Sequence, residues 1–137
     1  MGEQMIEKDV VVCILENKGK ILLVKRSSLV GTYRGKWSGI CGYVEGDPYK
    51  TAMKELYEEV GLKIEDLKLL KKGKIIEVSD ESLNVKWKAY PYLFECKSPE
   101  KIKLNWENVE YRWIDPREIS KYETVPGLKE ILEMMGE

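Results

Sequence analysis

The chain has 137 residues, of which 43% are hydrophobic and 34% charged, and its 23 basic and 24 acidic side chains leave a formal net charge of −1. This length and composition predict one globular domain over residues 1–137, and the charge gives no reason to expect nonspecific nucleic-acid binding. The sequence contains no histidine. That excludes imidazole bases, His-based triads and most zinc sites, so acid–base and metal chemistry would fall to carboxylates.

The cysteines and the N-terminus indicate a cellular location. Cys13, Cys41 and Cys96 are far apart and form no CxxC pair. We therefore expect reduced, mostly buried thiols in a cytoplasmic protein. The N-terminal apolar run is six residues long with acidic residues on both sides, which predicts neither a signal peptide nor a membrane span.

The first predicted elements form a hairpin. Residues 9–15 and 20–24 are β-branched, apolar runs, and residues 17–19 (NKG) between them are typical of a turn. Residues 25–36 contain two glycines and four basic residues without apolar periodicity, so we predict a loop. Residues 37–45 (WSGICGYVE) are predicted to be extended, with glycines that allow close backbone approach.

The clearest helix follows this segment. Asp47 suits the N-cap, Pro48 the first helical position and Gly61 the position just past the helix end. These three residues predict a helix that begins after Asp47 and ends before Gly61.

The remaining elements complete a sheet with helices around it. Strands are predicted over residues 69–78, 85–96 and 109–114. Pro91 indicates an edge position or a bulge in the second of these strands. A short helical turn capped by Asp115 and an amphipathic helix over residues 127–135 follow. The order of elements predicts an α/β (α+β) fold, with a mixed β-sheet between helices.

The first helix combines an apolar face with clustered acids. At about 100° per residue, five apolar or aromatic side chains share one arc: Ala52, Met53, Leu56, Tyr57 and Val60. Glu55, Glu58 and Glu59 fall on the opposite side, where their mutual repulsion disfavours the helix. Two interpretations remain open. The acids are either a solvated face or oxygen ligands for Mg²⁺ or Mn²⁺.

The same residues resemble a known motif. Residues 54–62 (KELYEEVGL) are similar to the end of the Nudix box, GX5EX7REUXEEXGU, with Lys54 in place of Arg. Residues 37–45 resemble the W-x-x-P-G-G-x-V-E segment that precedes the box, with Gly42 at the box glycine. The resemblance implies a Nudix-like α/β/α sandwich. It also implies a metal-dependent hydrolase that cleaves the diphosphate bond of a nucleoside diphosphate derivative.

Two features depart from the family pattern. The 13 steps from Gly42 to Glu55 make the loop two residues shorter than in the box. Asp47 is the nearest counterpart of the upstream glutamate, and Lys54 cannot form the bidentate fork of an arginine. We expect Asp47 to brace the loop by capping the helix, or by pairing with a lysine.

The resemblance implies roles for individual residues. The metal ligands would be the Gly42 carbonyl and the carboxylates of Glu55, Glu58 and Glu59. The general base would be Glu58, Glu59 or Glu107, the last of which lies in the loop at residues 105–108. Glu110 competes for this role, although its position in a strand favours a structural role.

Other side chains are candidates for substrate binding. Arg26, Arg34 and Lys36 could bind phosphate, or could simply confer solubility. Four aromatic residues could stack on a base, although packing is the commoner role for each: Trp87, Tyr90, Tyr92 and Trp106. Cys41 is predicted to pack, because no histidine is present to activate it.

The resemblance also bears on the substrate. Members of the family carry markers of ADP-ribose or dinucleoside polyphosphate specificity downstream of the box, and the corresponding positions here hold Val78, Ser79 and Asp80, so neither marker is present. This favours nucleoside triphosphates or modified nucleotides over nucleotide sugars and RNA ends.

The alternative to a hydrolase is a non-catalytic nucleotide-binding or regulatory Nudix module. Isopentenyl diphosphate isomerase shares the fold but needs a catalytic histidine, so a chain without histidine argues against that activity. An unpaired edge strand would permit a homodimer.

Overall fold

A computed structural model describes residues 4–137, and a mixed β-sheet forms its centre. Eight strands belong to the described residues: β1 (Ile6–Asn17), β2 (Lys20–Arg26), β3 (Trp37–Ser38), β4 (Ile40–Tyr43), β5 (Leu67–Lys72), β6 (Ile76–Asp80), β7 (Val85–Cys96) and β8 (Asn108–Ile114). The α-helices are α1 (Pro48–Val60) and α2 (Leu128–Met134). Short 3₁₀ helices occupy Ile64–Asp66, Pro99–Lys101 and Pro116–Lys121.

The two longest strands set the topology of the sheet. β1 and β7 run parallel along nearly their whole length, and the other strand pairs are antiparallel. β5 and β6 both pair with the outer edge of β7. β4 pairs with β1, while β3 and β8 pair with β2. The predicted mixed sheet between helices is therefore confirmed.

The predicted N-terminal hairpin is present, and its divergence makes room for the next segment. Lys18 and Gly19 both have positive φ angles (51° and 79°), as a two-residue type I′ turn requires. Beyond this turn β1 and β2 separate, and the segment after the loop pairs first with β2 and then with β1. It changes partner at Gly39, where a Cβ would lie 2.8 Å from the Cys13 carbonyl oxygen. The segment predicted as one extended stretch is therefore two short strands.

Pro91 corrects another expectation. It lies in β7, which is an inner strand and not an edge, and the segment predicted as one strand over residues 69–78 is broken into β5 and β6. The Gly73 N–H donates to the Pro91 carbonyl at 2.9 Å within this break. Since N and O of one strand residue point to the same side, the missing N–H of Pro91 faces the break and interrupts no ladder.

The sheet is covered on both faces. α1 packs Ala52, Leu56 and Val60 into a core on one face. The predicted amphipathic helix, α2, packs its apolar residues on the other: Leu128, Ile131, Leu132 and Met135. Among the described residues, no helix combines the length and the apolar character that crossing a membrane requires.

Asp66 ties the chain after α1 to the chain after β7. Its carboxylate accepts hydrogen bonds from the Lys63 backbone N–H at 3.0 Å and the Lys101 ammonium at 2.9 Å. The Lys97 N–H donates to its backbone carbonyl at 2.8 Å. The Lys63 N–H first, and then Lys101, lower the pKa of Asp66 to about 2.

We expect Asp66→Asn to lower the melting temperature at neutral pH but not at pH 2. A carboxyl group whose pKa is lower in the folded state stabilises the protein above its unfolded pKa, roughly 4. This contribution is lost as the pH falls towards 2. Thermal unfolding of both proteins between pH 2 and 7 measures the effect, and a constant difference across this range would contradict it.

Candidate active site

The first helix begins and ends as predicted. The Asp47 side chain accepts a hydrogen bond from the Lys50 N–H at 2.9 Å, which makes Asp47 the N-cap. Pro48 opens the helix, and Gly61 closes it with φ 75°, a left-handed conformation that favours glycine. The helix thus holds its acidic side chains at defined positions relative to β4.

The acidic face of α1 is not a simple solvated face. Glu59 is only 3% exposed, whereas Tyr57, predicted on the apolar arc, is 57% exposed. The chain before β8 encloses the end of the helix, where the Lys103 and Asn105 N–H groups donate to the carbonyls of Val60 and Glu59. The apolar arc therefore did not predict the exposure of Tyr57, and the interpretation of the acids as a solvated face does not hold for Glu59.

Three carboxylates converge where α1 meets this returning chain. Oxygen atoms of Glu55, Glu59 and Glu107 all lie within 4.8 Å of one another. Asn108 donates from Nδ2 to Glu59 Oε1 at 3.0 Å, and Asn105 donates from Nδ2 to Glu107 Oε1 at 3.1 Å. Both amides orient the acids. Sequence reasoning named this loop for Glu107 but missed the role of its asparagines.

The electrostatics of this carboxylate cluster are unfavourable without a cation. Burial, followed by the neighbouring carboxyl groups, raises the pKa of Glu59, and burial likewise raises the pKa of Glu55. Glu59 Oε2 is buried and accepts no hydrogen bond from residues 4–137. A buried carboxylate oxygen that accepts no hydrogen bond, with two half-buried carboxylates beside it, fits a hard divalent cation such as Mg²⁺. The residues present therefore fit the metal that the motif implies.

Gly42 makes the close approach of β4 and α1 possible. It pairs with Val11 in the sheet, and a Cβ at this position would overlap the carboxyl group of Glu55. A side chain here would displace that carboxylate from the cluster. This contact explains why the segment carries glycine at this position.

Two further acids named from the sequence lie outside the carboxylate cluster. Glu58 is 44% exposed, lies 3.9 Å from the Lys54 ammonium and lines the adjoining cavity. Its role as a ligand stays a prediction. Glu110 lies on β8 and accepts a hydrogen bond from Arg112 at 2.8 Å. That arrangement agrees with the structural role expected for Glu110.

Asp47 caps the helix after the shortened loop, as expected, but it is not the acid that pairs with the lysine of the motif. Lys54 pairs with Glu45 at 3.1 Å, so Glu45 and not Asp47 is its acidic partner upstream. The buried Thr51 hydroxyl lies 3.0 Å from both the N–H and the carbonyl of Glu45, and 3.0 Å from the Asp47 carbonyl. Nothing in the sequence pattern identified Thr51.

We expect the buried hydroxyl to contribute more than the exposed ion pair. Thr51→Val removes the hydrogen bonds of the buried hydroxyl to the Glu45 and Asp47 backbone and should destabilise the fold by about 1–3 kcal/mol. Lys54→Ala removes only an exposed pair and should destabilise the fold less than Thr51→Val does. Urea unfolding of both variants measures the two effects, and an equal or larger loss for Lys54→Ala would contradict the assignment of the brace.

A cavity of about 350 Å³ adjoins the carboxylate cluster. Arg26, at the end of β2, lines it, with its guanidinium held by the Thr32 carbonyl at 2.9 Å and the Thr32 hydroxyl at 3.3 Å. Arg34 and Lys36 do not line this cavity. They donate instead to the Val30 carbonyl and to Glu123. Of the three predicted phosphate-binding residues, the structure brings only Arg26 to the cavity.

Aromatic side chains form much of the cavity wall. Trp87 and Trp106 line it, as two of the four predicted stacking residues. Tyr92 is instead buried in the core on the α1 face, and Tyr90 packs against that same core. Tyr33 and Tyr43 also line the cavity and were missed, because neither belongs to a periodic pattern.

Cys41 lines the same cavity but has the properties of a packing residue. Burial raises the pKa of its thiol to about 12, so the thiolate is not populated near neutral pH. All three cysteines are free, in agreement with the expectation of reduced thiols. The cavity therefore contains carboxylates and a guanidinium as its charged groups near pH 7.

Solved structures with this architecture are known. A C. elegans Ap4A hydrolase has a TM-score of 0.75 and 16% identity, covering 96% of this chain and 95% of that one. The E. coli dihydroneopterin triphosphate pyrophosphohydrolase has a TM-score of 0.76 and 16% identity, covering 96% and 99%. These likenesses define the fold class, an α/β/α sandwich around a mixed sheet.

The sequence comparison is more specific. A family model described as the NUDIX domain matches residues 5–135, and the chain belongs to the Nudix family. It is a Nudix hydrolase, an enzyme that acts on acid anhydrides. The nucleoside triphosphatase NudI of Escherichia fergusonii is 26% identical over 146 aligned positions, covering 96% of this chain and 99% of that protein. The Nudix identity predicted from the box is confirmed.

Proposed function

We propose that this hydrolase cleaves the diphosphate bond of nucleoside triphosphates or modified nucleotides and that it depends on bound Mg²⁺ or Mn²⁺. The observation that carries the proposal is the convergence of Glu55, Glu59 and Glu107 beside a cavity of about 350 Å³, where Glu59 Oε2 accepts no hydrogen bond from the described residues 4–137. A cavity of this size accommodates a small-molecule ligand. The name of the nucleoside triphosphatase relative favours a triphosphate substrate.

The proposed ligands are the Gly42 carbonyl and the carboxylates of Glu55, Glu58 and Glu59. A divalent cation held there would neutralise diphosphate oxygens and acidify a water molecule. The chain's own task is to hold these oxygens in place, which the amide of Asn108 does for Glu59. The raised pKa values of Glu55 and Glu59 indicate that these carboxylates are poorly stabilised as anions until a cation binds.

Glu107 is the proposed general base. It would accept a proton from the water that forms a bond to phosphorus, while the bridging P–O bond breaks and its electrons pass to the leaving phosphate. Asn105 Nδ2 donates a hydrogen bond to Glu107 Oε1, and Asn105 Oδ1 accepts one from the Glu107 backbone N–H, so that Asn105 orients Glu107. The Ser27 N–H donates to the Glu107 carbonyl at 2.8 Å, which fixes the loop against the end of β2.

Arg26 is the proposed phosphate-binding residue, and we expect Arg26→Gln to raise KM for a nucleoside triphosphate by about 10- to 100-fold, the effect of losing one charged hydrogen bond. Arg34→Gln and Lys36→Gln are matched controls for the loss of one positive charge. Steady-state kinetics on the three variants measures the difference. If Arg34→Gln or Lys36→Gln raised KM more than Arg26→Gln, those residues and not Arg26 would bind the phosphate.

The experiment that tests the proposed function is a substrate panel. The protein is incubated with nucleoside triphosphates, ADP-ribose, nucleotide sugars or dinucleoside polyphosphates, with Mg²⁺, Mn²⁺ or a chelator. Release of phosphate and pyrophosphate is followed. Metal-dependent turnover that is fastest with triphosphates is expected. Tight binding of a nucleotide without turnover would instead indicate a non-catalytic nucleotide-binding module.

A further inference from the structure

Three aromatic residues from distant parts of the sequence form one face of the cavity. Tyr33 lies in the loop between β2 and β3, Tyr43 at the end of β4, and Trp87 in β7. The rings of Tyr43 and Trp87 are stacked, with centroids 6.3 Å apart and an interplanar angle of 28°. The Tyr33 ring lies 6.1 Å from that of Trp87. We call these three residues the aromatic wall.

Hydrogen bonds hold the indole of Trp87 in place. Trp87 Nε1 donates to the Tyr33 hydroxyl at 2.8 Å, and this hydroxyl donates to Asp80 Oδ2 at 2.6 Å. Burial, followed by the bond to Asp80, raises the pKa of Tyr33 to about 12, so the hydroxyl remains a donor near pH 7. Rotation of the indole would break this chain of bonds.

The backbone of Tyr33 has an uncommon conformation. Its φ angle is 50°, in the left-handed region that residues other than glycine rarely adopt. Such a conformation persists only where surrounding contacts hold it. The contacts here are a local bond from the Lys36 N–H to the Tyr33 carbonyl at 3.1 Å and the side-chain bonds to Asp80 and Trp87.

We propose that the aromatic wall binds the base of the nucleotide by stacking, and that Tyr33 and Asp80 are positioning residues that hold Trp87 as the stacking surface. The inference rests on the proposed function, in which the diphosphate lies at the carboxylate cluster lining the same cavity. Stacking on an aromatic face tolerates every base, because each base presents a π face.

The same contacts limit discrimination between bases. A site rejects a wrong ligand strongly when buried polar groups would be left unpaired. The polar atoms that link Tyr33, Asp80 and Trp87 are already paired with one another. The rest of the lining includes aliphatic side chains, among them Val78, Leu128 and Ile131, which form no hydrogen bonds with a base. We therefore expect kcat/KM for ATP, GTP, CTP and UTP to differ by less than about tenfold.

The test compares Trp87→Leu with Trp87→Phe on these four triphosphates. Trp87→Leu should raise KM on the order of tenfold or more for each substrate, whereas Trp87→Phe, which keeps a stacking ring but loses the bond to Tyr33, should raise KM by a smaller factor. Hydrolysis of tripolyphosphate, which has no base, should be reduced less by Trp87→Leu than hydrolysis of the nucleotides. An unchanged KM in Trp87→Leu, or a spread between the bases above tenfold, would overturn the inference.

Tyr33→Phe tests the positioning role, because it keeps the ring and removes both hydrogen bonds. KM should rise for all four triphosphates while the melting temperature stays close to that of Tyr111→Phe, a matched control on β8. An unchanged KM overturns the positioning role. If the wild type hydrolyses no nucleotide, the proposed function fails, and calorimetric titration with AMP and UMP still decides the inference. Binding that is lost in Trp87→Leu supports it, and absence of binding overturns it.

Discussion

Glu59→Gln is expected to reduce metal-dependent hydrolysis by at least roughly 10²- to 10³-fold, the effect of removing one preorganised charged group at a reacting centre. Glutamine keeps the side-chain length and can still accept the hydrogen bond from Asn108 that Glu59 Oε1 accepts at 3.0 Å. The folded structure should therefore be retained while the negative charge is lost. Steady-state kinetics with Mg²⁺ measures the change, and Glu65→Gln, at an exposed position away from the cavity, is the control.

The same substitution has a second, opposite effect on stability. Burial raises the pKa of Glu59, so the folded protein without metal binds more protons than the unfolded chain above the unfolded pKa, and its stability falls as the pH rises. Glu59→Gln removes this penalty and should raise the melting temperature of the metal-free protein at pH 8. Mg²⁺ should stabilise the wild type and not the variant. If Glu59→Gln hydrolysed substrate at the wild-type rate and was stabilised by Mg²⁺ as much as the wild type, the essential carboxylates would lie elsewhere.

Gly42→Ala should also abolish most of the activity. The added Cβ would overlap the carboxyl group of Glu55 and push it out of the carboxylate cluster. Because a misplacement of about 1 Å at a reacting centre can cost about 10²-fold, we expect a loss of at least this size in kcat/KM. Turnover per folded molecule, with folding checked by circular dichroism, measures the effect.

Gly39→Ala is a matched control in the same strand region. Its Cβ would meet the Cys13 backbone oxygen at 2.8 Å and the Ile14 side chain, and it contacts no residue of the carboxylate cluster. We expect a lower melting temperature with the activity of the folded fraction preserved. If Gly42→Ala and Gly39→Ala lost activity equally, the close packing of Gly42 on Glu55 would not be the cause.

Local patterns were sufficient for much of the fold. Asp47, Pro48 and Gly61 delimited α1 correctly, since each acts on the backbone within a few residues of its own position. The turn at Lys18 and Gly19 was predictable for the same reason. The edge position predicted for Pro91 was wrong. A proline in a strand requires only that no neighbouring strand needs a hydrogen bond from its N atom. The break between β5 and β6 meets that requirement in an inner strand, and only strand pairing reveals it.

The candidate active site likewise has features that the sequence predicted and features that only the tertiary structure determined. The family motif predicted Gly42, Glu55, Glu58 and Glu59 as ligands, and the absence of histidine favoured carboxylates, because both are properties of the sequence order and composition. The burial of Glu59, the approach of Glu107, the Thr51 brace and the aromatic wall came only from the tertiary structure. Apart from the Thr51 brace, which joins residues no more than 6 apart, these features join segments about 50 residues apart, and the packing that brings them together depends on the side chains between. Periodicity reports which face of an element is apolar, but not which distant segment will cover it.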